Sequence, residues 1–301
     1  MNKINYYHSL IFFNFCILLS AFEFLRDNSL IILSLFLILS LGISHGALDH
    51  IKGKKLLKLL NYNSTSTFYI LYVLFGLSVI LLWLLFSKIL LLIFLIVASY
   101  HFGKEDAEFI NSKSNFEIVY FFKGSLVITA PLLFHKTETL NIFNYLSFDI
   151  SKSLFISNEF LYAFIFISLF SNIVISMNKE IDIKSILLMD FISILLLNYF
   201  LNPILAFTIY FCFLHSIRHS FKLSNELNKK NFIKGFKKFL IKAIPLTTLT
   251  AILFLISLFF LNNYYFLDNA ISKVIFIGLA SLTFPHILLE YFLEKNEKQR
   301  N

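Results

Sequence analysis

Charge is scarce in this chain. Of its 301 residues, 15% are Asp, Glu, Lys or Arg, where soluble domains carry about a quarter, so the polar surface of an ordinary water-soluble fold is missing. Cysteine is nearly absent too. Cys16 and Cys212 both fall inside apolar runs, so neither a disulfide framework nor a thiolate metal cluster is indicated. No internal repeat of fixed period is visible, and no two histidines are adjacent. The longest non-apolar stretches, 136–158 and 223–239, are too short for a soluble domain.

What is present is hydrocarbon. Hydrophobic residues make up 58% of the chain, and the mean hydropathy is +0.77. Apolar runs near 20 residues recur along the whole length, which is the signal of membrane-spanning helices. The expectation is an all-α polytopic integral membrane helical bundle forming a single transmembrane domain over 1–301. About ten transmembrane helices are expected, at 9–25, 29–47, 66–86, 88–103, 115–135, 159–177, 183–201, 203–222, 240–261 and 272–292. The first run has a weakly basic start (Lys3), and Glu23 and Phe24 stand where small cleavage-site residues belong, so it reads as a retained helix rather than a signal peptide. Pro203 sits at a helix start, where its missing N–H costs little. Pro285 lies inside the last helix and should kink it or free a carbonyl.

The formal charge of +8 is a topology signal rather than a nucleic-acid one, because the lysines sit between spans. With ten spans and a cytoplasmic N-terminus, nineteen Lys and Arg fall on the cytoplasmic side and five on the other. Such a bias supports cytoplasmic N- and C-termini and a multi-pass cell (plasma) membrane protein.

Five of the eight histidines lie within or at the end of the most apolar segments: His45, His101, His215, His219 and His286. Ionisable side chains at membrane depth cost free energy, face the bundle interior and mark sites. In the ten-helix reading their helices all run toward the cytoplasm, so these imidazoles share one slab of the bilayer. Imidazole is the commonest side-chain metal ligand, and the expectation is a metal centre between helices. His215 and His219 are spaced i, i+4, so both rings share a helix face. Alone, that pair also fits an interfacial hydrogen-bonding role. Small residues, Gly46 and Ala47, follow His45 and let a neighbouring helix approach. Asp49 and Asp106 are candidates to accept the second ring N–H of a ligating histidine; the alternatives are an N-cap or loop solubiliser for Asp49 and a plain interfacial acid for Asp106. Arg218 projects elsewhere, toward a carboxylate or a lipid phosphate. Glu290, one turn after His286, is either its partner or an interface charge. His50 opens a basic loop and reads as solvated. His8 and His135 lie at span ends, and Glu23, Lys123 and Asp190 are intramembrane charges without an evident partner. A nitrogen-rich, thiolate-free cluster suits iron, zinc or copper.

The blocks GISHGALD, SYHFG-x-x-D, FCFLHSIRH and TFPHILL together resemble the Brp/Blh family of microbial membrane β-carotene 15,15′-dioxygenases. The resemblance covers nearly the whole chain in the family's order and spacing. It implies an Fe(II)-dependent enzyme that splits the central double bond of β-carotene with O₂ into two all-trans-retinal. The iron ligands it implies are His45, His101, His215 and His219. His286 is then expected in the second layer or lining a substrate tunnel, with Asp49 and Asp106 beside the ligands. Membrane lipid surrounds such an enzyme, and a microbial rhodopsin is its partner by pathway, as retinal acceptor.

Two other classes fit the sequence less well. A membrane di-iron desaturase or hydroxylase uses about eight histidines in several boxes, whereas this chain has one H-x-x-x-H and no HH. A transporter with a histidine proton relay predicts inverted-repeat halves and helices broken at mid-membrane; here no repeat appears, and the histidines gather toward one face.

Overall fold

A computed structural model of the chain describes residues 2–22, 30–62, 65–110, 117–146 and 157–300. Among them the regular structure is entirely helical: α1 (Asn2–Ser20), α2 (Ile31–Leu37), α3 (Asp49–Leu59), α4 (Thr65–Glu105), α5 (Glu117–Phe134), α6 (Lys136–Tyr145), α7 (Asn158–Ser176), α8 (Ile181–Phe200), α9 (Pro203–Ile209), α10 (Ile217–Leu227), α11 (Phe232–Leu261) and α12 (Leu267–Arg300). Eight helical stretches among the described residues are long and apolar enough to cross a membrane.

The difference between eight and ten is settled by α4 and α1. A straight helix of 41 residues would run about 60 Å, twice the hydrocarbon thickness of about 30 Å. Instead, Phe86 leaves helical geometry (φ −136°, ψ 46°). Trp83 and Phe94, eleven positions apart, bring their ring centroids to 6.1 Å, where a straight helix would separate their Cα atoms by about 16 Å. The chain therefore turns back at Phe86, and the two limbs are the expected helices 66–86 and 88–103. The helix expected at 9–25 is α1, which begins at Asn2 and lies along α8; residues 23–29, Glu23 included, lie outside the described set. With the two limbs counted separately and with α1, which has the length but is not among those eight apolar stretches, the described residues hold ten membrane-length segments.

Hydropathy misplaced the ends more than the segments. The stretch 223–239 is mostly helical: α10 runs to Leu227, and α11 starts at Phe232, capped by the Asn231 side chain accepting from the Lys234 N–H. Helices continue into polar water-facing sequence, where an apolar-run reading stops. Pro285 does not break α12. It leaves the Ser281 carbonyl without its helical donor, and that carbonyl faces Gly76, where a Cβ would stand 3.1 Å from it.

Two π-helical turns, Ile38–Gly42 and Tyr210–Ser216, adjoin the histidine segments. Such turns rotate the residues that follow and recur at functional sites. Here they meet: a Cβ on Gly42 would stand 2.8 Å from the Phe211 ring, and Ser216 Oγ donates to the Gly42 carbonyl at 3.3 Å. The tightest helix contact is between α4 and α5. Cβ atoms on Gly103 and Gly124 would fall 1.7 Å from the Tyr120 carbonyl and 1.9 Å from that of Ser99, so these backbones touch as only glycine permits. Of the two small residues after His45, Ala47 is the one packed against a neighbouring helix, with Phe239 and Ala243 of α11; a Cβ on Gly46 would meet its nearest atom at 3.5 Å.

Candidate metal centre

His45, His101, His215, His219 and His286 are all buried, and they converge. The His45 ring lies 5.7, 4.7, 4.1 and 4.8 Å from those of His101, His215, His219 and His286. Each comes from a different local setting. His45 lies in the 3₁₀ turn Ile43–Gly46 after the first π-turn. His101 sits one turn from the end of α4, His215 in the second π-turn, His219 on α10 and His286 on α12.

Their centre is Glu105, the first of three acidic residues that follow His101 and one to which the sequence assigns no role. The Glu105 carboxylate, with 7% of its side chain exposed, puts Oε2 at 3.2 Å from His45 Nε2, 3.5 Å from His101 Nε2 and 3.3 Å from His215 Nε2. Its Oε1 lies 3.0 Å from His219 Nδ1 and 3.7 Å from His286 Nε2. The available signal was the i, i+4 spacing of His101 and Glu105, which puts both on one face of α4.

Both candidate carboxylate partners are found behind histidines. Asp106 Oδ1 accepts from His215 Nδ1 at 2.9 Å, and Tyr210 Oη donates to Asp106 Oδ2 at 2.7 Å. Burial pushes the Asp106 carboxyl up, but His215 beside it, with Lys123 and Arg218, holds it well below the usual carboxylate range. Asp49 accepts from His286 Nδ1 at 2.8 Å and from Tyr72 Oη at 2.7 Å. Asp49 is four residues from His45, yet it serves a histidine on α12. Arg218 finds a carboxylate rather than a lipid phosphate: its guanidinium donates to Asp190 Oδ2 at 2.6 Å, to Ser9 Oγ at 2.7 Å and to the Asp106 carbonyl at 3.1 Å. It thereby ties α1, α8 and the turn after α4 to the helix that carries His219.

A cavity of about 920 Å³ opens beside the cluster, with His101 and Glu105 in its wall; charged side chains share its lining with apolar ones, among them Phe75, Val97, Phe284, Ile287 and Leu288. Around it Lys52 pairs with Glu290 at 2.6 Å and Lys104 with Glu294 at 2.8 Å, and Lys222 and Glu108 also pair. Lys52 Nζ stands 3.5 Å from His219 Nε2, and Glu290 Oε2 stands 3.7 Å from His286 Nε2. Phe102 and Phe211 pack against His215, with ring centroids at 4.9 and 5.7 Å, and neither lines the cavity. The cluster thus meets a cavity of mixed charged and apolar lining on one side and packed aromatic rings on another.

The donor set fits a metal ion. The ligand atoms of His45, His101, Glu105 and His215 all lie within 4.8 Å of one another, as do those of His45, Glu105, His219 and His286. The nitrogens facing this centre on His45, His215 and His286 are buried and make no hydrogen bond, an arrangement that costs free energy unless something else binds them. Three histidines stand apart: His50 Nδ1 meets the Ala47 carbonyl at 3.1 Å, His8 Nε2 meets that of Phe213 at 2.7 Å, and His135 lies beside Glu138.

Comparison with known proteins agrees in extent with this architecture. The chain is 27% identical over 272 residues, 89% of its length and 95% of the relative's, to a protein named β-carotene 15,15′-dioxygenase from an uncultured marine bacterium, 66A03. No solved structure matches it. The sequence model of the family described as β-carotene 15,15′-dioxygenase matches residues 36–294, which takes in every histidine of the cluster, both supporting aspartates and Glu105. The chain belongs to the β-carotene 15,15′-dioxygenase family.

Proposed function

We propose that this protein cleaves β-carotene at its central double bond with O₂, giving two all-trans-retinal, at an intramembrane Fe(II) centre held by His45, His101, His215 and His219. The observation that carries this reading is the convergence of buried imidazoles with unsatisfied inward nitrogens in a chain of this family. Ferrous iron, when bound, supplies the one-electron and O₂ chemistry that no side chain offers. The reaction balances without a further reductant: the C=C bond is broken, and each aldehyde takes one atom of O₂.

The chain's own residues do the positioning. Asp106, fixed by Tyr210, holds the proton on His215 Nδ1 and leaves Nε2 free to ligate. A polyene with no polar group gains nothing from the Lys–Glu pairs, so it lies against the apolar wall of the cavity that reaches His101 and Glu105, formed by Phe75, Val97, Phe284, Ile287 and Leu288. There shape, rather than hydrogen bonding, must select the central bond. The Lys–Glu pairs form the polar part of the cavity wall. On the positive-inside count it faces the cytoplasm, with both termini, and the plasma membrane is the site of action. The retinal made then supplies a microbial rhodopsin.

The direct test is expression in cells that accumulate β-carotene. Loss of colour with appearance of retinal is expected; unchanged pigment in iron-replete membranes containing the folded protein would refute the assignment. Asp106→Asn should weaken iron retention by about 10–100-fold, the usual cost of losing a carboxylate behind a ligating histidine. Iron-to-protein ratios measured against graded chelator check this.

A further inference from the structure

Glu105 is oriented in a way that the histidine set does not explain. A carboxylate that merely orients a ligating histidine takes the ring nitrogen far from the metal. For His215 and His286 those positions are already filled, by Asp106 and Asp49 at their Nδ1 atoms. Glu105 faces the opposite nitrogens, Nε2 of both rings, and Nε2 of His45 and His101 as well. It lies on the inside of the ring of imidazoles.

Spacing and charge agree. Two donors that share one ion at about 2.1 Å, in octahedral or tetrahedral geometry, stand roughly 3.0–3.4 Å apart. Glu105 oxygens lie 3.0, 3.2 and 3.3 Å from His219 Nδ1, His45 Nε2 and His215 Nε2. Neither oxygen makes a hydrogen bond, and both are buried. Among the described residues no lysine or arginine forms an ion pair with Glu105; Lys52, Lys104 and Lys222 pair with Glu290, Glu294 and Glu108. Ligating imidazoles must be neutral, so they cannot balance a buried carboxylate, and an unpaired buried charge is costly. A divalent cation at the centre balances it.

We propose that Glu105 is itself a metal ligand, a carboxylate bound together with the histidines, so that the centre is a histidine–carboxylate site rather than a purely histidine one. This rests on the metal-centre reading above. The expected consequence is that Glu105→Gln, which keeps size and removes charge, loses iron at least about 100-fold more readily than the parent protein.

The experiment uses the full chain, purified and reconstituted in lipid nanodiscs. Iron retention against chelator, iron X-ray absorption and the visible spectrum of the Co(II)-loaded protein are compared for the parent, Glu105→Gln and Glu105→Asp. Weakened retention in Glu105→Gln, with one oxygen donor lost from the absorption spectrum, supports the proposal. So does a shifted cobalt spectrum in Glu105→Asp, whose shorter arm keeps the charge but moves the oxygens. If Glu105→Gln melts well below the parent, the Glu105→Asp spectrum decides. Unchanged retention and spectra in both variants overturn the proposal while leaving the histidine centre standing. A parent protein that retains no iron overturns both readings together.

Discussion

His215→Ala is expected to leave a protein that inserts into the membrane but neither retains iron nor bleaches β-carotene. His215 is 1% exposed, its Nε2 faces the centre, and its Nδ1 is fixed by Asp106. Alanine removes a donor outright, where losing only the supporting carboxylate already costs about 10–100-fold, so the loss should exceed 100-fold and take retinal formation below detection. His101→Ala should behave alike, since its Nε2 shares the same Glu105 oxygen. The contrast comes from His8→Ala and His135→Ala. Those rings meet a backbone carbonyl and a neighbouring glutamate outside the cluster, so iron content and pigment bleaching should stay at parental levels. Iron per protein and retinal per cell are the measurements; full activity in His215→Ala would remove that residue from the ligand set.

The second large effect is expected from Gly103→Ala, a change of one methyl group far smaller than the loss of a ligand. Its Cβ would lie 1.7 Å from the Tyr120 carbonyl and 2.8 Å from the Gly124 nitrogen. Both are backbone atoms of a packed helix, so no side chain can swing aside and α4 must move away from α5. Overpacking costs about 1–3 kcal/mol, sometimes more. Here it acts midway between His101 and Glu105, two donors of the cluster on the same helix end. Thermal unfolding in nanodiscs should shift down by several degrees, and iron retention should fall with it. Gly46→Ala is the control for stability, because a Cβ there meets ordinary contacts at 3.5 Å. A Gly103→Ala protein that melts with the parent would show that the two helices can separate at no cost.

Much of this architecture follows from short-range sequence. The apolar runs identify the spans because a bilayer of fixed thickness demands a fixed length of helix. The i, i+4 spacing puts His215 and His219 on one face because an α-helix repeats every 3.6 residues. Even the placing of the histidines at one depth follows from parity, and the cluster agrees with it. Segment ends were less legible, as at Asn231, where a side-chain cap rather than hydropathy starts α11.

Local pairings such as His286 with Glu290 were legible from spacing, but the long-range ones were not. Asp49 could be nominated as a histidine partner, but nothing near it in sequence points to His286, 237 positions away. Asp106 adjoins Glu105, yet one supports His215 from outside and the other enters the centre, because the last residue of α4 and the first of the turn after it point in different directions. Arg218 and Asp190 were both seen as intramembrane charges, and only packing made them a pair. The sequence by itself determined that this is a helical membrane protein of its family, with imidazoles gathered at one depth. The tertiary structure decided which faces meet, through the turn at Phe86, the glycine contact of α4 with α5 and the paired π-turns, and so brought Glu105 among five histidines. Periodicity is a property of one helix, whereas a metal site is a property of several.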